Sequence, residues 1–393
     1  MASADGGSPA PRKVRLSSPV THSDWMLGDP APPFGAEGVQ QILDRAKACG
    51  WTRVYWRCFD SGKSMYHSRL LEPFGAAESP NYWDDHGMSN LWAKLAQCDY
   101  GRFDTFAEAM RYGHAIGLEV HAWLSINEDD HGYGWPSRVA REHPEWHWVQ
   151  RDGRVYRSQL SFAFPEVRMY KLALLREILA YRPDGIFFDW IRTGDVRDNP
   201  QTDASGVAAY GYEDPNVERF RKLCGTDPHD VPNDDPRWVA LRAEPQTKFM
   251  REAARLIRRM APDLPISAMV QHPWSYRGAP TDTPYDGSLR GLLCDVRTWA
   301  REGLIDEAVA AGYYREGGTP AGAFEWLRKE TEGRIGLWLY GWLGAADPFR
   351  ADTKLAESLG ASELLLWESN YIGLPPANQA AVEAMAEYAR GGA

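Results

Sequence analysis

Eight short runs rich in β-branched and aromatic residues recur along the chain, and the stretches between them carry apolar residues at a helical period. This alternation constrains the fold more than any other feature. The runs are Val14 to Ser18, Thr52 to Cys58, Leu118 to Leu124, Gly185 to Ile191, Leu264 to Met269, Leu304 to Val309, Arg334 to Tyr340 and Ser362 to Trp367, each bounded by Gly, Pro or polar residues. Between them, Val39, Ile42, Leu43 and Ala46 form one stripe closed by Gly50. Phe106, Ala109, Met110 and Gly113 form another behind a Thr105-x-x-Glu108 capping box. Pro165 to Arg182 opens on a first-turn proline, aligns Val167, Tyr170, Leu174 and Ile178, and stops before Pro183. Phe249, Ala253, Leu256 and Met260 repeat the pattern before Pro262. Strict β/α alternation means a parallel sheet, and eight units favour closure, so the expected fold class is α/β, a (β/α)8 TIM barrel. Its 393 residues suit one large barrel from residue 14 to residue 393, after an extended or disordered segment 1–13.

The spacing between runs is uneven. Long stretches follow the second, third and fourth strands (Phe59 to Asp104, Ser125 to Phe164, Thr193 to Glu244), with Thr226 to Arg237 reading as a loop excursion. In a barrel these loops lie on the C-terminal face, where active sites are built. They carry Trp83, Trp92, Trp135, Trp146, Trp148 and Trp238, part of an unusual total of 17 Trp and 18 Tyr. Aromatic rings left half exposed make flat stacking surfaces, and sugar rings with apolar C–H faces are their natural ligand. An aromatic-walled cleft over one half of the barrel mouth is therefore expected.

Charge and composition exclude several classes. Lys and Arg number 44 against 54 Asp and Glu, a net charge of -10, the wrong sign for gripping phosphate backbones over a wide surface, so no nucleic-acid partner is expected. No stretch approaches the ~18 consecutive apolar residues of a membrane span, and Met1 to Arg12 lacks the apolar core of a secretory signal. Five scattered cysteines (Cys49, Cys58, Cys98, Cys224, Cys294) form no CxxC and suit reduced thiols, which points to the cytoplasm. Gly62-Lys63-Ser64 lacks the earlier glycine of a phosphate-binding loop, where Arg57 stands instead. There is no HExxH, GxSxG or strand-linked GxGxxG, so no cofactor is expected. Asp84 to His86 and Asp129 to His131 resemble ligand triplets, but adjacent loop residues rarely all face one ion. They read as solvated loop chemistry, with no metal.

The fourth run, Asp184-Gly185-Ile186-Phe187-Phe188-Asp189-Trp190-Ile191-Arg192, is apolar until Asp189, which shares the inward face with Phe187. A carboxylate there looks out of an apolar strand into the mouth. The eighth run likewise yields to Glu368 after Trp367. Two carboxylates in one cleft without a cofactor fit glycoside hydrolysis, one protonating the leaving oxygen and the other acting as nucleophile or base. Asp189 is expected as nucleophile or base and Glu368 as acid, with Glu316, then Asp295 and Glu128, in reserve. Strands four and eight lie on opposite sides of the barrel, which favours the wider inverting separation. Substrate contacts are expected from residues at the strand ends: Arg57, His121, Trp123, Asn127, Trp190, Arg192, Gln271, His272, Tyr313, Glu316, Tyr340 and Trp342.

His143-Pro144-Glu145-Trp146, Pro165-Glu166-Val167-Arg168 and Asp184 to Arg192 together resemble the "HPEW", "NPEVR" and "DGIHFDYIRYP" signature of the family ten glycosyl-hydrolase-like barrels, a group related to a bacterial domain of formerly unknown function. His121-Ala122-Trp123, Tyr66-His67-Ser68 and Trp367-Glu368-Ser369 are similar to further segments of that family. The resemblance implies a (β/α)8 glycosidase in which the fourth-strand aspartate, here Asp189, is catalytic. Phe187 in place of the family's histidine and Thr193-Gly194 in place of Tyr-Pro imply a remodelled subsite beside it. Two other readings compete: a non-catalytic carbohydrate-binding barrel, and a metal-dependent sugar isomerase or deacetylase using the Asp and His residues around the mouth.

Overall fold

The computed structural model describes residues 13–74, 95, 97–130, 136–189, 191, 201–276, 286–310, 313–314 and 317–391. Eight parallel strands form the centre: β1 (Arg15–Val20), β2 (Arg53–Asp60), β3 (Glu119–Ser125), β4 (Ile186–Asp189), β5 (Ile266–Val270), β6 (Glu307–Ala310), β7 (Gly336–Trp342) and β8 (Glu363–Trp367). Their hydrogen-bonded order is β1-β8-β7-β6-β5-β4-β3-β2, and β1 pairs again with β2, so the sheet closes. Each expected run holds one strand, with boundaries moved by a few residues. The largest shift is in β6, which starts at Glu307. The preceding Asp306 turns the chain instead, its carboxylate accepting from the Ile266 amide (2.8 Å) and from Arg258 (2.6 Å).

Helices follow the strands: α1 (Ala36–Ala48), α2 (Thr105–Ala115), α3 (Pro165–Ala180), α4 (Pro236–Met260), α5 (Val296–Arg301), α6 (Pro320–Thr331), α7 (Ala346–Leu359) and α8 (Gln379–Arg390). The capping box before α2 is displaced by one position. Asp104 is the N-cap and accepts from the Ala107 amide, while Thr105 is buried and gives its hydroxyl to the Met65 carbonyl (2.6 Å). Pro165 starts α3 at its first turn, where a missing N–H costs nothing. Of the long stretch after β4, Asp214–Cys224 forms a helix, and the expected excursion from Thr226 is loop with a single 3-10 turn until α4 begins at Pro236 behind the Asp235 cap. Met260, the last apolar residue of the expected stripe, is 49% exposed because α4 ends there.

Period-two alternation sorts each strand's side chains. Outward residues such as Val54, Trp56, Val120, Ala122, Ile186 and Phe188 join the helices' apolar faces in one large core. Inward residues Tyr55, Trp123, Phe187, Met269, Val309, Trp338, Tyr340 and Leu365 fill the barrel. That interior is unusually aromatic for a fold whose barrels are generally packed with branched aliphatics. It accounts for part of the Trp and Tyr excess without any exposed surface.

The loop tryptophans also depart from expectation. Trp148 is buried and stacks on Tyr210 at 3.8 Å, and Trp238 is fully buried against Tyr212 and Phe220. Trp146 is half-buried and stacked on His143 at 3.6 Å. Trp148 and Trp238 join secondary cores under the long loops and Trp146 packs against the main core, rather than forming cleft walls; Trp83, Trp92 and Trp135 lie outside the described residues.

Candidate active site

The C-terminal end of the barrel collects several of the expected residues. β4 and β5 lie together on one side and β8 and β1 on the other, with β3 and β2 joining them. Asp189, the last residue of β4, is fully buried, and its Oδ2 accepts from the Trp123 indole N–H at 3.1 Å. Trp123 reaches this place because β3 residues 119, 121, 123 and 125 share the inward face and Ser125 is in register with Asp189. Its ring packs against Trp367 at 5.3 Å, and the Arg57 guanidinium lies over it at 4.8 Å.

Arg57 lies beside a register shift between β2 and β3, where Arg57 pairs with Trp123 but Phe59 pairs with Leu124. Such irregularities re-aim side chains near functional sites. Its Nη1 meets Asp60 at 2.9 Å, its Nη2 meets Glu128 at 2.8 Å, and its Nε donates to Ser125 Oγ at 3.0 Å. Burial opposes its charge, but Asp60, Glu128 and Glu368 more than offset this and hold it protonated.

Glu368 follows Trp367 across a cis peptide bond and stays partly exposed. The Thr21 hydroxyl donates to its Oε1 at 3.3 Å. Its carboxyl is held well above the usual range, first by desolvation and then by the nearby Asp24, while Arg57 and Thr21 pull the other way. A carboxyl shifted in this direction is better suited to donate a proton than one in the ordinary range. Tyr340, buried, and Trp342 and Trp367, half-buried, complete the aromatic lining on the β7 and β8 side.

The remaining expected residues divide. Asn127 is fully buried in the loop after β3, with neither amide atom hydrogen-bonded. Gln271 and His272 are buried just past β5. Tyr313 lies in a short antiparallel pairing with Tyr276, for which the backbone alone is described. Trp190, Arg192 and Glu316 lie outside the described residues.

His121 does not rise to the strand end with Trp123. It is one pleat deeper, 1% exposed, and its Nε2 sits 3.5 Å from Glu119 at the N-terminal end of the strand. Gly185 makes room for it, since a Cβ there would fall 2.1 Å from the imidazole. Desolvation pushes its pKa down to about 4, so it is neutral and structural. Asp295 caps α5, accepting from the Thr298 amide (3.0 Å) and hydroxyl (2.6 Å).

Asp129 corrects the solvated-loop reading: it is fully buried, paired with the buried Lys171 of α3 and bonded by the Ser137 hydroxyl at 3.0 Å. Nothing in the local sequence points to this pairing, because Lys171 is 42 residues away. The pair pins the loop that presents Glu128 to Arg57. Among the described residues, no group of three or more His, Cys, Asp or Glu is placed to hold a metal ion. Among the same residues, no helix is long and apolar enough to cross a membrane.

A family model, glycosyl hydrolase-like 10, matches residues 40–335 of the 393. The chain belongs to that family. None of the curated proteins matches it. Solved structures with a similar fold include the catalytic domain of a β-amylase from Paenibacillus polymyxa, with a TM-score of 0.58 at 10% identity over 96% of this chain and 99% of that one. A β-galactosidase from the psychrophilic Marinomonas ef1 gives 0.56 at 13% identity, over 96% of this chain and 59% of that one. An endo-1,4-β-mannanase from Rhizomucor miehei gives 0.54 at 10% identity, over 98% and 96%. At such identities the likeness shows the barrel fold alone.

Proposed function

We propose that the chain hydrolyses an O-glycosidic bond in an oligo- or polysaccharide, with Asp189 as nucleophile or base and Glu368 as general acid. One observation carries the reading. A buried carboxylate held by the Trp123 indole and a second carboxyl raised by desolvation stand at the same end of the barrel, with Trp123, Trp367 and Arg57 packed at that end. Membership of a glycosyl-hydrolase-like family and three glycosidase barrels of similar fold support it.

In the reaction, a sugar packs against the half-buried faces of Trp342 and Trp367. Glu368 gives its proton to the departing glycosidic oxygen as the bond to the anomeric carbon breaks. Asp189 either attacks that carbon or takes a proton from the attacking water. Since β4 and β8 are opposite each other in the closed sheet, the wider inverting separation of ~6.5–9.5 Å is favoured.

The test is reducing-end release across a broad glycan panel for the unmodified protein and Asp189→Asn. Release by the first and a loss of at least ~10⁴-fold in the second, with an unchanged circular dichroism spectrum, is expected. Comparable release by both would remove Asp189 from the chemistry. Glycan binding by both, without release by either, would make the barrel a carbohydrate-binding protein.

A further inference from the structure

A second pocket lies beside the chain that leaves β4. The helix Asp214–Cys224, the first turns of α4 and the antiparallel pair His147–Val149 and Val155–Leu160 contribute to it. Its interior of ≈ 30 Å³ is lined by Trp148, Ser161, Tyr210, Glu213, Asn216 and Arg242, among others. Gln246, also in the lining, donates to the Ile191 carbonyl, two residues past Asp189.

The walls are fixed, and the polar groups in them are deeply buried. Trp148 and Tyr210 are stacked on each other and make a rigid aromatic side. The Arg242 stem runs against Gly211, where a Cβ would fall 2.5 Å from the arginine Cδ. Its Nη1 donates to the carbonyls of Ala208 (2.7 Å) and Tyr210 (2.9 Å), and its Nη2 to that of Asn233 (2.6 Å). These bonds set the plane of the guanidinium, while its buried Nε–H has no partner. Glu213 is 2% exposed, makes no capping bond to the helix it precedes, and leaves its Oε2 without a partner. Asn216 is committed to the Gly211 carbonyl at 3.1 Å. Among the described residues, the pocket therefore presents one unpaired donor and one unpaired acceptor, which buried groups rarely remain.

The chemistry of that pair selects the ligand. A cation would meet the Arg242 charge and an anion the Glu213 carboxyl, whereas a neutral hydroxyl accepts from the N–H and donates to the carboxylate. Desolvation pushes Glu213 up to about 7, with Ser161, Arg242 and Asn216 opposing it, and a hydroxyl can equally accept from the protonated form. The interior has room for roughly two heavy atoms, enough for a hydroxymethyl group and too little for a sugar ring.

We propose that this pocket binds the exocyclic hydroxymethyl arm of a hexose, its hydroxyl bridging Glu213 Oε2 and Arg242 Nε while the ring stays at the mouth. The site is separate from Asp189 and Glu368 and does not require either to be catalytic.

The experiment titrates the full chain, carrying carbon-13-labelled leucine methyls, with D-glucose and D-galactose and with their 6-deoxy counterparts, in which a methyl replaces the hydroxymethyl group. Leu293 lines the pocket and is the reporter, its resonances assigned from Leu293→Met. A saturable shift of the Leu293 methyls is expected with at least one hexose, with affinity about tenfold or more weaker for its 6-deoxy form. Glu213→Leu should weaken hexose binding by a similar factor, and Glu213→Gln by no more than about threefold, since the amide oxygen still accepts. Asp189→Asn and Glu368→Gln should leave the curve where it is. Unmoved Leu293 methyls up to the solubility of each sugar, or equal affinity for hexose and 6-deoxy forms, would overturn the proposal and leave the pocket to water. A curve lost in Asp189→Asn would overturn it too, placing the sugar at the barrel mouth. If Glu213→Leu does not fold, the comparison of hexose with 6-deoxy sugar on the unmodified protein still decides. Hexose binding at Leu293 in a protein that cleaves no glycan would uphold the pocket and refute the glycosidase reading separately.

Discussion

The two ends of the barrel each hold an arginine from β2, four residues apart and both facing inward, and they use it differently. At the N-terminal end Arg53 meets Glu119 at 2.7 Å, Glu363 at 3.1 Å and Glu307 at 3.3 Å. Glu363 also accepts from the Ser17 and Tyr55 hydroxyls and from Arg15 at 3.3 Å. This network ties β1, β2, β3, β6 and β8 together, and both oxygens of Glu363 are engaged. Burial raises the Glu363 carboxyl, with Arg53, Ser17 and Tyr55 opposing it. At the C-terminal end Arg57 is equally well held, but Glu368 at that end receives one hydroxyl at 3.3 Å and stays partly exposed. A carboxyl whose hydrogen bonds are complete is a structural tie; one that is desolvated but incompletely bonded is available for proton transfer.

The largest effect that could break this contrast is on stability at the closed end. Arg53→Met leaves three carboxylates without their common cation and should lower the unfolding free energy by about 3–5 kcal/mol, read by urea denaturation. A loss below ~1 kcal/mol would mean that this end does not hold the barrel shut. Next, Glu368→Gln should cost about 10²–10³ in kcat while the melting temperature moves by no more than a couple of degrees. Glu363→Gln should do the reverse. Equal losses of activity in the two variants would erase the distinction between the ends.

A smaller effect comes from two buried neutral histidines. Desolvation lowers His22, beside the mouth, to about 3 and His121, towards the other end, to about 4, against 6.5 in the open chain. Between those values the unfolded chain takes up protons the fold refuses, so stability falls as pH drops below 6.5. Each histidine contributes about 1.4 kcal/mol per pH unit, or about 2 kcal/mol between pH 6.5 and 5. His22→Phe should flatten the measured slope by roughly half in that window; an unchanged slope would show that His22 accepts a proton in the fold. The smallest expected effect is at the lining. Trp342→Ala should raise KM by about five- to tenfold, close to 1 kcal/mol, with kcat little changed. A fall in kcat alone would place Trp342 in support of the carboxylates rather than of the sugar.

Much of this was legible beforehand, for reasons that can be named residue by residue. The eight strands and the inward pairing of Phe187 with Asp189 follow from local alternation, which a strand's geometry enforces without reference to the rest of the molecule. Where the reading failed, the deciding contact was distant in sequence. Trp148 and Trp238 look like cleft walls until Tyr210 and Phe220 cover them. His121 shares a face with Trp123, but its depth depends on Gly185 in the neighbouring strand. Asp129 reads as a solvated loop residue until Lys171 reaches it from α3.

Sequence alone therefore determined the order of the elements, the face each strand residue takes, and the position of a carboxylate at the end of β4, because these depend on backbone periodicity over a few residues. Only the tertiary structure decided that Trp123 holds Asp189, that Arg53 and Arg57 serve opposite ends, and that desolvation raises the Glu368 carboxyl. Desolvation and charge act through space, and closing the sheet is what brings β8 against β1 and β2.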